Sequence, residues 1–238
     1  MDWIPPFVFF FLLINLVLSY CFLFFSFLLY CNKQTKRHLG EVLDPRYVKA
    51  GLHPVGRLDY DTSGLILFSS SGDLTQRLLH PRHNVEKEYV ATVIHTVDET
   101  VLRQKLEKEG VETTEGIHKA KLLHVSEPFE IQYEDKKIKI SDGDDDDDDN
   151  ENNNDDDDDD DSVIVDDEIK YATNVRLIVS EGKHRMVRRM LANAGHPVIE
   201  LKRERHGMIL LGDLSLGEFR ELSDEEVIWA EGLLSKKK

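Results

Sequence analysis

The chain has 238 residues, a formal net charge of -16 and only two cysteines. That length holds one sizeable domain or two small ones, and the cysteine count excludes a disulfide framework and a thiolate zinc site. The charge does not exclude a nucleic-acid partner. Asp142 to Asp161 holds 15 acidic and no basic residues, and without it the chain carries -1. Electrostatics must therefore be judged patch by patch.

Ile4 to Cys31 contains no charged residue, and Lys33, Lys36 and Arg37 follow it. About 20 apolar residues cross a bilayer as a helix, and the basic flank would face the cytoplasm or an equivalent compartment. The expectation is an apolar N-terminal segment over residues 1–39, with a membrane helix spanning Phe7 to Tyr30. The competing expectation is that Phe25 to Tyr30 is a strand of the following domain. Localisation is left as organelle or cytoplasm, with membrane association through residues 4–31.

Residues 40–238 read as one domain. Leu65 to Phe68 is a short apolar strand, and Asp73 an N-cap for a helix that Pro81 stops after Leu79. His80 and His83 lie in a Leu-His-Pro-Arg-His loop without thiol or carboxylate neighbours in sequence, so no metal is expected. Glu88 to Ile94 reads as a strand. Asp98 caps a helix carrying Leu102 and Leu106, which Gly110 ends. Lys119 to Val125 is a further strand. An Asp/Asn-rich insertion, residues 141–168, has nothing to bury and is expected to be disordered. Val175 to Val179 is a strand and Gly182 to Ala194 a helix. His196 to Leu201 and Met208 to Leu211 are strands around a turn at Gly207. Ser223 and Glu226 form a capping box for the last helix. Strands outnumber helices without a βαβ rhythm, so the fold class is α+β with a largely antiparallel mixed sheet flanked by helices.

Two constellations carry chemistry. Gly56-Arg57-Leu58-Asp59-Tyr60-Asp61-Thr62-Ser63-Gly64-Leu65 is a polar loop between glycines ahead of a buried strand, a place where active sites are commonly built. A plainer reading makes it a tight turn whose Asp61, Thr62 and Ser63 satisfy local backbone donors. The second is Lys183 to Leu191. At helical spacing Arg185, Arg188 and Arg189 share one displayed face, and Met186, Val187, Met190 and Leu191 the docked one. Lys202, Arg203, Arg205 and His206 follow. Clustered Arg is a phosphate-binding footprint, because its planar fork pairs with phosphate oxygens.

Gly56-Arg57-Leu58-Asp59 with Thr62-Ser63-Gly64-Leu65 resembles the signature loop of the RsuA-type pseudouridine synthases. The resemblance continues through His80-Pro81, Val85-Glu86-Lys87-Glu88-Tyr89, Glu181-Gly182-Lys183 to Arg188-Arg189-Met190, Gly195-His196-Pro197 and Gly212-Asp213-Leu214. It implies the pseudouridine synthase fold and conversion of uridine to pseudouridine in structured RNA, above all rRNA, by a monomer without a cofactor. Asp59 matches the catalytic aspartate, Tyr89 the aromatic that stacks on the target uracil, and Arg188 the basic residue that pairs with the carboxylate. Leu191 matches a position lining the uracil pocket, and Arg57, Thr62, Ser63, Lys183, Arg185 and Arg189 are the remaining substrate-binding candidates. The competing class is a catalytically inactive RNA-binding protein of the same fold, tethered to a membrane. The sequence departs from the family in four places. No S4 RNA-binding domain precedes the loop, and the first catalytic strand is missing or reduced to Leu28 to Lys33. Met186 stands where Gln is usual, and the acidic run is inserted. A fragment, or a wrong first exon, is the expectation that follows.

Overall fold

The structure is a computed structural model that describes residues 25–28, 49–131, 171–215 and 217–235. The acidic insertion and most of the apolar N-terminal segment lie outside the described residues. The chain divides into two compact units. Met1–Lys87 and Arg203–Lys238 form the first, and Glu88–Lys202 the second.

In the first unit, β1 (Phe25–Leu28) lies between β3 (Thr62–Ser69) and β12 (Phe219–Glu221), antiparallel to both. Phe25 stands opposite Phe68, and Leu28 opposite Leu65. This corrects the N-terminal helix where it can be checked: a strand, not a helix, occupies Phe25–Leu28, as the competing reading held. It meets the place given to a reduced first strand, Leu28 to Lys33, only at Leu28. Among the described residues no helix is long and apolar enough to cross a membrane. A short β2 (His53–Pro54) also pairs with β3.

The strand expected at Leu65 to Phe68 starts earlier, at Thr62. The helix α1 (Gly72–Leu79) is capped by Ser71 rather than Asp73, with the Ser71 hydroxyl accepting from Leu74 N at 3.3 Å. Ser71 has the extended backbone that a cap needs, while Asp73 already sits in the first turn, where a carboxylate favours the helix dipole. The final helix α4 (Asp224–Ser235) has the expected capping box. Ser223 N donates to Glu226 Oε2 at 2.8 Å, and Glu226 N to Ser223 Oγ at 3.3 Å. Val55, Leu65, Leu67, Leu74, Leu78 and Ile209 form the core of this unit, with Trp229 packed against it.

The second unit is built on β4 (Lys87–Ile94) from Glu88 onward, β9 (Tyr171–Val179) and β7 (Lys121–Val125), neighbours in that order, with β8 (Phe129–Glu130) antiparallel to β9. Asp98 caps α2 (Glu99–Arg103) as expected, accepting from Thr100 N at 2.8 Å and Val101 N at 3.1 Å. The helix continues in wider turns over Gln104–Glu109 and ends at Gly110, with Leu102 and Leu106 buried. A hairpin, β5 (Val111–Thr113) and β6 (Gly116–His118), follows. The helix α3 (Met186–Asn193) leads into β10 (Val198–His206), which extends through the segment read as the end of a shorter strand. It turns at Gly207 into β11 (Ile209–Leu210).

Candidate catalytic and RNA-binding residues

The loop before β3 is fixed at both ends by backbone bonds. Val55 N donates to Leu67 O at 2.7 Å, and Thr62 N to Asp59 O at 2.9 Å. Gly64 has a φ of +112°, and a Cβ there would run into the Arg203 carbonyl and amide. Only glycine lets β3 and β10 approach so closely. This rigid edge presents a half-buried Asp59, an exposed Arg57 and a half-buried Ser63. Thr62 is buried, and its hydroxyl has no hydrogen-bond partner. Within its own unit the Asp59 carboxylate has no hydrogen-bond or ion-pair partner among the described residues, whereas Asp61 and Ser63 are engaged. Arg57, Asp59, Thr62 and Ser63 all belong to the first unit.

Tyr89, Lys183, Arg185, Arg188, Arg189 and Leu191 belong to the second. Tyr89, half-buried on β4, packs against the core cluster that includes Met186, Met190 and Leu191. Beside it Glu88 pairs with Arg176 at 2.6 Å. The helix is shorter than its sequence suggests. Gly182 to Arg185 lies outside it, and Arg185 takes a left-handed backbone with φ +48°. The displayed face of three guanidiniums is corrected accordingly. Arg185 precedes the helix, so helical spacing does not apply to it. Arg188 is only 8% exposed and donates to Val198 O at 3.1 Å. Arg189 is half-buried, with Nη1 on the Thr114 hydroxyl at 2.9 Å. Asn193 Nδ2 donates to Glu112 O at 2.7 Å, so the β5–β6 hairpin braces this helix at two points. Lys183 is exposed. The Met186, Val187, Met190 and Leu191 face is buried as expected.

The run from Lys202 to His206 is not one basic surface. Strand alternation leaves Lys202 exposed and buries Arg203 at 3% exposure. Arg205 reaches Glu86 at 3.1 Å and the Gly207 carbonyl at 2.8 Å. His206 is fully buried, with Nε2 3.4 Å from Leu78 O. Burial, then Arg203 and Lys87, holds its imidazole well below the usual range, and the Leu78 carbonyl opposes them. The sequence reading passed over Lys87. It lies two and four residues before Tyr89 and Ala91, and this parity marks the buried face of β4. Lys87 is 3% exposed, and burial, with Arg203 second, pushes its ammonium down to about 8.

Residues 30–193 match the family model described as RNA pseudouridylate synthase. The chain belongs to this family. Among its pseudouridine synthase relatives, ribosomal large subunit pseudouridine synthase B of Bacillus subtilis (strain 168) is 35% identical over 74% of this chain and 56% of its own length. Ribosomal small subunit pseudouridine synthase A of Escherichia coli (strain K12) is 33% identical over 74% of this chain and 58% of its own. The chain thus spans a little over half the length of these relatives. A crystal structure of a pseudouridylate synthase is similar at a TM-score of 0.59 and 25% identity, covering 88% of this chain and 74% of that one. The fold expectation holds: this is the pseudouridine synthase fold, with a mixed, mostly antiparallel sheet and helices.

Proposed function

We propose that this protein isomerises uridine to pseudouridine in structured RNA, rRNA above all, with Asp59 as nucleophile. The observation that carries the reading is the Asp59 carboxylate, without a partner among the described residues of its unit, on a loop clamped by Gly64 against Arg203 in a chain of this family. The reaction breaks the C1′–N1 bond, turns the uracil and rejoins it through C5. A carboxylate can act as a nucleophile on carbon and form a covalent intermediate, which is the role given to Asp59. No electrons are lost and no donor group is consumed, so the reaction needs no cofactor. The target base must leave its stack, and Tyr89 supplies an aromatic platform that lowers the cost. Leu191 lines the uracil site. The resemblance gives Arg188, buried in the second unit, the role of the basic partner of the catalytic carboxylate. Arg57, Thr62 and Ser63 of the first unit and Lys183, Arg185 and Arg189 of the second are the RNA-binding candidates that the resemblance implies. The relatives named for large and small ribosomal subunits support rRNA as the substrate.

The test is carbodiimide-based primer extension on rRNA from cells lacking this gene and carrying either the wild-type chain or Asp59→Ala. The expected result is at least one pseudouridine restored by the wild type and absent with Asp59→Ala. Restoration by both would leave an RNA-binding protein without Asp59 catalysis.

A further inference from the structure

We propose that His118 is a positioning residue for RNA binding: through Glu181 it holds the segment that carries Lys183 and Arg185. The proposal rests on the RNA reading above, which makes those two residues binding candidates, and adds to it what keeps them in place. Residues 180–185 join the end of β9 to the start of α3. Gly182, Lys183 and His184 are exposed, so burial does not fix them. At the far end of the segment the Met186 amide donates to Lys183 O at 3.3 Å, and the Met186 side chain is buried. At the near end stands the half-exposed Glu181, whose Oε2 lies 3.4 Å from His118 Nδ1. Among the described residues Glu181 makes no other ion pair, and neither ring nitrogen of His118 makes a hydrogen bond.

His118 is itself a fixed point. It is 5% exposed and stands opposite Val111 in the β5–β6 hairpin, and Val111 belongs to the core of the second unit. A buried imidazole with unmet donors bears a desolvation cost that a nearby carboxylate offsets, because a ring N–H donates to a carboxylate whether the ring is neutral or protonated. The same hairpin holds Arg189 through the Thr114 hydroxyl and Asn193 through the Glu112 carbonyl. It therefore grips the basic segment both on the helix and ahead of it, and His118 supplies the grip ahead. A segment ordered before RNA arrives binds without the entropy cost of being ordered then. Charge separates this role from a direct contact. Glu181 is a carboxylate two residues from Lys183, and a carboxylate beside a polyanion opposes binding. Contact with phosphate does not account for it, and positioning does.

The experiment uses the full chain with His118→Leu, His118→Asn, Glu181→Ala and the double variant of His118→Leu with Glu181→Ala. It reads RNA affinity, the single-turnover rate at saturating RNA, and Tm. Leu fills the space without a donor, and Asn keeps a donor near the place of Nδ1. His118→Leu and Glu181→Ala should each bind RNA about tenfold more weakly, a loss within the range of coupling between contacting residues. The double variant should be no weaker than either alone, and His118→Asn should keep most of the affinity. The rate at saturation should stay within about twofold of wild type, since only binding is lost. Tighter RNA binding by Glu181→Ala, which is what removing a negative charge does by itself, would overturn the proposal. So would losses that add in the double variant, or a lower Tm with wild-type affinity, which would make the contact structural only. If His118→Leu does not fold, the direction of the Glu181→Ala effect decides. Lys183→Ala with wild-type affinity would also overturn the proposal, by taking the segment off the RNA. Pseudouridine formation that survives these negative results leaves the proposed function standing. The expected coupling in a chain that forms no pseudouridine leaves the positioning role standing and removes the catalytic reading.

Discussion

The loop around Asp59 and the segment around Arg188 both announce themselves as polar clusters, yet they are built in opposite ways. The Asp59 loop is short and held by backbone, with Gly64 against the Arg203 main chain and the Thr62 amide on the Asp59 carbonyl. Its carboxylate has no partner among the described residues of its unit. The Arg188 segment is held by side chains. Arg185 stands in a left-handed conformation, Arg188 is buried on Val198 O, and Arg189 is braced by Thr114. Backbone clamping frees a side chain to react. Side-chain bracing commits the side chain, so most of the basic cluster is partly structural.

The largest effect should come from the free side chain. Asp59→Asn keeps the shape of the loop but removes the charge, and turnover should fall by about 10⁴-fold with little change in Tm. A comparable drop in Tm would show that the carboxylate was structural after all. On the other side, Arg188→Met removes a buried guanidinium. Single-turnover rates should fall by about 100-fold, with RNA affinity within a few-fold of wild type, a loss of the size expected for an electrostatic partner of the reacting group. Arg189→Gln should invert that pattern, weakening RNA binding and lowering its salt slope by about one while sparing the chemical step. Equal effects at the two positions would erase the division between buried and braced arginine.

Gly64→Ala tests the backbone clamp. The added Cβ meets Arg203 backbone at a φ that side chains rarely adopt, so unfolding free energy should drop by about 3 kcal/mol. Denaturant melts showing a loss below about 0.5 kcal/mol, the ordinary scatter of harmless substitutions, would mean the loop is not clamped there. Arg185→Gly is the smallest change. Glycine relieves the left-handed strain, so stability should hold or rise by about 1 kcal/mol, while RNA affinity falls through loss of the guanidinium. A variant that is more stable and binds RNA equally well would remove Arg185 from the binding surface.

Local chemistry alone determined much of this protein. Asp98, Gly110, Gly207 and the Ser223–Glu226 box acted where the sequence put them, because caps and turns are satisfied within a few residues. The Gly56-to-Gly64 loop was legible for the same reason, and the ordered motifs sufficed to reach the family. What needed the tertiary structure were the basic residues and the first strand. Helical spacing grouped Arg185 with Arg188 and Arg189, but Arg185 lies before the first helical residue. Lys87 and Arg203 were legible only as charges. Strand parity on β4 and β10 buries them, and that parity matters only once neighbouring strands cover the face. Phe25–Leu28 lies in a run apolar enough for a bilayer, and pairing with Thr62–Ser69 and Phe219–Glu221 made it a strand. An apolar run specifies burial without specifying what buries it, and that choice belongs to partners far away in the chain.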